Sequence, residues 1–541
     1  MLSSSKLEEF DRHIKALARG LLEMGVKPGE RVAVIMGNNS SYAMLQWACA
    51  SIGAILVTIN PAYRINELLQ TLSAVGVKHL ICTPRIRSSA YLAMLAEAAP
   101  GILNSPPGEI SDPKLPELRN IIVMDNAGEY RTEVDKLEMR SLVDWREIFL
   151  WREDTVEEKR RRILESSMNK DDVINLQFTS GTTGLPKAVS LTHHNLLNNG
   201  LSVGQCMRLT DKDIICNVPP LFHCFDESWT HGACIVYPSP VFDPVAIVDA
   251  VVEESCTALH GVPTHFLGVL SEVDKRKAAG ERVNLSHLRT GIAAGSSIPI
   301  DLMKRLIAHM NLSELTNAYG MTETSPVSFQ TQPDDPLLKR VETVGKVRPH
   351  VKAKIVDADG NVVPRGTPGQ LLVSGYLLQK GYWNDEAQTH AAMKRDEHGT
   401  LWMYTGDEGV LDEEGYLRIV GRIKDIIIRG GENLFPVQIE NALTDHPAIR
   451  EAAAIAVPDN RYGEVVGAWI AREPGTEVSR EEVRRAVAES MNPQNAPVWV
   501  WFLGEEGVAD ELPKTASGKV QKHVLRNWSK PLVTKNFGRA V

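Results

Sequence analysis

The chain has 541 residues, 43% of them hydrophobic and 23% charged, ordinary values for a folded enzyme with about three or four domains' worth of chain. Its net charge of −9 argues against a polycationic nucleic-acid binder. The longest apolar run, Trp47 to Ile59, is too short for a membrane span, the N-terminus lacks an apolar signal core, and the final Arg539-Ala540-Val541 is not a Ser-Lys-Leu peroxisomal address.

A cytoplasmic protein is therefore expected, with mitochondrial import left open. Residues 7 to 24 carry apolar side chains at helical spacing: Leu7, Phe10, Ile14, Leu17, Leu21 and Met24. Gly25 to Gly29 then turns the chain into a buried strand over Arg31–Met36. A helix over Tyr42–Ser51, a strand over Ala54–Ile59, a helix over Ile65–Val75 and a strand over His79–Cys82 repeat the unit. Such alternation predicts parallel sheets covered by helices. The Pro-, Gly- and Ser-rich stretch 99–118 reads as a surface loop, and the charge-dense stretch 152–166 as a helix with a solvated face. Seven cysteines without a C-x-x-C pair read as reduced, small, buried apolar residues.

Val173 to Phe178 reads as a strand, and a helix starts over His193–Leu197. Between them lies Thr179-Ser180-Gly181-Thr182-Thr183-Gly184-Leu185-Pro186-Lys187. Glycines let backbone amides converge, hydroxyls add donors, and a lysine adds a mobile charge, so the bend makes a nest for phosphate. It is not the common ATPase loop, which needs Gly before the lysine and Ser or Thr after it. Here Pro186 precedes and Ala188 follows. Beyond about residue 345, short runs such as Ala353–Val356 and Gln370–Val373 between Gly/Pro turns suggest a small barrel or sheet. After Arg429 a smaller α+β segment begins, with helices over Pro436–Thr444 and Ser479–Ser490.

The nine residues from Thr179 to Lys187 resemble the phosphate loop of the adenylate-forming (AMP-binding) enzyme superfamily. Over roughly Leu7 to Arg526 the chain is most similar to medium-chain fatty acyl-CoA synthetases. The resemblance implies an α/β fold with a large multi-sheet N-terminal domain, 1–423, whose residues 345–423 form a β-rich, barrel-like subdomain. A small mobile α+β domain, 424–541, would follow a hinge at Lys424. It also implies two half-reactions. A carboxylate attacks the α-phosphorus of ATP with release of pyrophosphate, and the acyl group then passes to the thiol of CoA. Both first reactants are anions, so the site must neutralise charge and hold them in line.

Three further clusters suit that work. In Tyr319-Gly320-Met321-Thr322-Glu323 an aromatic can cover adenine, Thr322 can donate to phosphate, and Glu323 can hold Mg²⁺. Upstream, Gly295 and Ser296 stand where the family's loop lies along the nucleotide. Asp407 can accept the ribose hydroxyls, with Arg422 in support. Lys519, on the Gly-containing loop Pro513–Lys519, matches the family's terminal catalytic lysine and can carry its charge to the α-phosphate. Gly430 and Gly431 match the tunnel that admits the arm of CoA.

His223, in Pro220-Leu221-Phe222-His223, matches a histidine flanking the acyl tunnel, and Gly261-Val262-Pro263-Thr264 is the expected opposite wall. The segment between His223 and His231-Gly232-Ala233 is shorter than in the family by about one to two helical turns. A reshaped acyl pocket or a catalytically impaired nucleotide-binding relative both follow from that shortening. A ligase that loads a separate acyl or peptidyl carrier protein is a third reading. The expected partners are a carboxylic acid, ATP and CoA, with neither nucleic acid nor a membrane span.

Overall fold

Helix Leu7–Glu23, strand Arg31–Ile35, helix Ser40–Ser51, strand Ile55–Thr58, helix Ile65–Ala74 and strand Val77–Cys82 follow one another as expected from their periodicity. The computed structural model describes residues 6–540 apart from 180–185, 224–226, 295–297, 299, 431 and 516–517. Alternate residues of these strands face opposite covers. Ala33, Ile35, Val57 and Leu80 pack with Leu68 and Leu72 of one helix. Val32, Val34, Leu56 and Ile81 pack with Leu17, Leu21 and Leu45 on the other side. Burial on both faces explains the near-continuous apolar runs.

The first sheet runs, in spatial order, Gly381–Tyr382, Lys187–Thr192, Val173–Thr179, Ile55–Thr58, Arg31–Ile35, Val77–Cys82, Asn120–Val123 and Leu142–Asp144. It is parallel from Val173–Thr179 onward and antiparallel at the Lys187–Thr192 edge. The second sheet runs Cys234–Val236, Ile214–Asn217, Ala258–His260, Thr290–Ala294, Glu314–Gly320, Val327–Gln330 and Lys346–Val347. Asn38 stitches the two together. Its side chain accepts from the amide of Leu221 at 2.9 Å and donates to the carbonyl of Pro219 at 2.9 Å.

The third sheet is antiparallel and built on Leu401–Leu411, which pairs with Gly369–Gly375 and with Leu417–Arg422. The last α+β unit has its own core, in which Ile427, Ile439, Val466, Val483 and Phe502 are buried together. Its helices Pro436–Thr444 and Arg480–Ser490 fall where the sequence puts them, the second fixed by reciprocal bonds between Ser479 and Glu482. The whole is α/β with a multi-sheet N-terminal part and a smaller α+β C-terminal part. Among the described residues no helix is long and apolar enough to cross a membrane.

Two expectations need correction. The charge-dense helix, Val156–Ser167, is not wholly solvated, because Glu158 and Arg161 are buried. Glu158 accepts hydrogen bonds from Arg161, Arg162 and Arg19, the last reaching from helix Leu7–Glu23. Those guanidiniums, Arg161 foremost, hold its carboxyl well below the ordinary range. A buried arginine needs such a partner, so the charges here are internal glue. The stretch 99–118 is likewise packed rather than loose. It holds the short helix Gly101–Asn104 and buries Ile102, Ile110, Leu115 and Leu118. Of the cysteines, Cys49, Cys82, Cys206, Cys216 and Cys256 are buried and free, Cys234 is exposed, and Cys224 lies outside the described residues.

Candidate active site

Tyr319 and Asp407 meet where the second and third sheets adjoin. The strand Glu314–Gly320 delivers Tyr319, whose hydroxyl donates to Asp407 Oδ2 at 2.5 Å. Asp407 and Arg422 are direct partners across antiparallel strands, with Arg422 Nε 3.4 Å from Asp407 Oδ1. Burial, then the charge of Asp407, raises the Tyr319 hydroxyl well above its usual pKa, so it remains a donor.

Glu323 sits in the single turn Thr322–Thr324, with Thr322 at its start. It is 6% exposed and accepts from the Tyr382 hydroxyl at 2.9 Å. Burial raises its carboxyl pKa, while Tyr382 and the charges of Arg422 and Lys187 oppose the rise. Lys187 opens the strand Lys187–Thr192, donates to Gln388 Oε1 at 2.6 Å, and lies 4.9 Å above the Tyr382 ring. Thr179 ends the preceding strand and faces Lys187 in register. Pro186 is described, whereas Ser180, Gly181, Thr182, Thr183, Gly184 and Leu185 lie outside the described residues, as do Gly295 and Ser296.

Lys519 closes a tight turn. Thr515 N–H donates to the Lys519 carbonyl at 2.7 Å, Gly518 N–H to the Thr515 carbonyl at 2.8 Å, and Lys519 N–H to Thr515 Oγ1 at 3.1 Å. Gly518 has a φ of +79°, and a Cβ there would stand 3.3 Å from Thr264 Oγ1. The loop is thus seated on the wall Val262–Thr264. Lys519 is an exposed residue overall, although neighbouring protein desolvates its ammonium. That desolvation, followed by Arg422, lowers its pKa, while Asp407 and Glu323 pull it up. Burial, then the charge of Lys519, pushes His223 down to about 4. Lys519 therefore shares one electrostatic neighbourhood with His223, Glu323, Asp407 and Arg422.

Lys424 lies in the turn Ile423–Asp425. Arg526, from the last helix, pairs with Asp425 and reaches the Lys424 carbonyl. Gly430 has a φ of +60° and donates to the Tyr462 carbonyl at 2.8 Å, while Gly431 lies outside the described residues. Of the segment expected to be shortened, the described residues Glu227–His231 form a single turn. Trp229 stacks on Phe10 at 5.2 Å and meets Trp47 edge-on at 6.2 Å. His231 occupies the space beside Gly204, where a Cβ would come to 2.3 Å from its ring. Tyr382 and Gln388 are members of the constellation that sequence reasoning missed. An aromatic between two glycine-broken runs was the only local signal.

The AMP-binding enzyme family matches residues 7–383, and the AMP-binding enzyme C-terminal domain matches residues 438–519. The chain belongs to the AMP-binding enzymes. It is an AMP-forming acid–thiol ligase. This AMP-binding enzyme is 42% identical to acyl-CoA ligase sidI of Aspergillus fumigatus over 540 residues, covering 98% of this chain and 87% of that one. It is 35% identical to the mitochondrial medium-chain acyl-CoA ligase ACSF2 of Danio rerio, covering 96% and 82%. It superposes on ATP-bound MatB of Rhodopseudomonas palustris with a TM-score of 0.76 at 26% identity, covering 97% and 93%. Against the apo form of MatB the TM-score is 0.66.

Proposed function

We propose that this ligase converts a fatty or related acyl acid to acyl-AMP with release of pyrophosphate, then passes the acyl group to the thiol of CoA. The seat of the Lys519 loop on Thr264 carries the reading. A lysine from the C-terminal unit reaches the neighbourhood of Glu323, Asp407 and His223, as adenylation requires. The higher score against the ATP-bound MatB than against its apo form supports the same arrangement.

In this mechanism Lys187 and the loop from Thr179 bind the phosphates, Thr322 donates to them, and Tyr319 packs on the adenine. Asp407, steadied by Arg422, accepts the ribose hydroxyls. Lys519 bridges the attacking carboxylate and the α-phosphate, concentrating positive charge where negative charge develops. His223 stays neutral and walls the acyl tunnel. Among the described residues no cluster of three or more His, Cys, Asp or Glu could hold a metal ion. Mg²⁺ bound through one carboxylate and substrate phosphates suits Glu323, whose buried carboxyl pairs with the Tyr382 hydroxyl. When bound, that ion shields phosphate charge.

The domain boundary falls at 423/424 in this reading. The C-terminal unit turns about Lys424 to bring Gly430 and Gly431 to the arm of CoA. Buried free thiols suit a reducing compartment such as the cytoplasm.

The test is pyrophosphate release from ATP and Mg²⁺ with a panel of fatty, aryl and hydroxy acids. Release that depends on the acid, and a thioester when CoA is added, are expected. Silence across the panel would mean an impaired nucleotide binder. Transfer to a pantetheinylated carrier protein but not to CoA would reassign the acceptor.

A further inference from the structure

Among the buried polar atoms without a hydrogen-bond partner in the described residues, three lie side by side in the second sheet. They are both ring nitrogens of His260 and the Oδ1 of Asn217. The two residues are register neighbours on adjacent parallel strands, 1% and 2% exposed. Ala258 and Ile215, each two residues earlier, share one cluster with Ile292, so alternation puts His260 and Asn217 on that same face. Both strands lead directly into segments assigned to the acyl site. Asn217 precedes the turn Pro220–His223, and His260 precedes the wall on which Gly518 rests.

Buried polar groups are nearly always satisfied, and native exceptions call for a partner that arrives. Burial alone pushes His260 down to about 4, with no neighbouring charge acting on it. A neutral imidazole offers one N–H and one lone pair, and Asn217 adds a carbonyl acceptor. A hydroxyl, donor and acceptor in one atom, matches that set. A methyl group satisfies none of it, and a second carboxylate would meet no cation.

We propose that His260 and Asn217 read a hydroxyl group on the acyl chain, so that the preferred substrate is a hydroxy acid rather than an unsubstituted fatty acid. This narrows, and rests on, the adenylating activity proposed above.

The full chain is assayed for pyrophosphate release with hexanoic and octanoic acids and with their hydroxylated counterparts, the hydroxyl at each position along the chain. At least one hydroxy acid should exceed its parent in kcat/KM by about tenfold or more, because the unsubstituted acid leaves the buried atoms unpaired. His260→Leu should reverse that ratio, whereas His260→Gln, which keeps a donor and an acceptor, should retain it. Should His260→Leu fail to fold, Asn217→Val supplies the same comparison. Parent acids that equal or beat every hydroxylated counterpart overturn the proposal. So does an aryl acid that outperforms them all, or a preference that survives both substitutions. Failure of every acid to release pyrophosphate would instead remove the adenylation reading beneath it.

Discussion

Tyr382 donates its hydroxyl hydrogen to Glu323 at 2.9 Å, across 59 positions of sequence. Its ring lies 4.9 Å beneath the Lys187 ammonium. One aromatic side chain thus stands between the carboxylate assigned to Mg²⁺ and the lysine assigned to phosphate.

Tyr382→Phe removes the hydrogen bond and leaves the ring. The KM for Mg²⁺-ATP should rise about tenfold, the worth of one bond to a charged group. Glu323→Gln should cost more, and added Mg²⁺ should not restore it. A magnesium titration of initial rates measures both, and an unchanged magnesium requirement in Glu323→Gln would remove the metal from that residue.

Lys519→Ala should slow acid-dependent pyrophosphate release about 10²- to 10³-fold, the usual loss on deleting a preorganised charge. Thioester formation from a supplied acyl-adenylate should stay near the parent rate if the lysine serves the adenylation step, as proposed. Equal losses in both assays would make Lys519 structural.

Gly518→Ala forces a side chain into a left-handed conformation against Thr264. The conformational cost of about 1–2 kcal/mol should slow adenylation about tenfold, with the thioester step spared. An unaltered adenylation rate would show that the docked loop is not the working arrangement.

His223, His260 and His265 each titrate near 4 in the folded chain, lowered from 6.5 foremost by burial. The unfolded chain takes up those protons first. Stability should therefore be full above about pH 6.5, fall as the pH drops toward 4, and level off below. Each histidine contributes up to about 1.4 kcal/mol per pH unit inside that window. Urea midpoints against pH check this, and His260→Leu should flatten the slope.

The α/β layering was legible because buried strands and amphipathic helices carry their own periods, and Ile55–Thr58 or Pro436–Thr444 needed nothing from afar. The stretch 99–118 misled because Ile102, Ile110, Leu115 and Leu118 are scattered among turn formers without a period. Glu158 misled because its partner Arg19 lies 139 positions away. The same distance problem hid Tyr382 and Gln388. Asp407 and Arg422 were readable as a pair because Tyr404-Thr405-Gly406-Asp407 and Gly421-Arg422 are short local motifs, and the structure sets them opposite each other across adjoining strands. His260 gave no sign at all, since a histidine ending a strand reads as ordinary core until its nitrogens are found empty-handed.

Gly204 and His231 occupy one volume between them, since a Cβ on the glycine would stand 2.3 Å from the imidazole. The turn Glu227–His231 can lie on this helix only while position 204 stays bare. A graft that lengthens this turn must either relocate the ring or keep position 204 as glycine. Redesign of this turn is therefore a two-position problem from the outset.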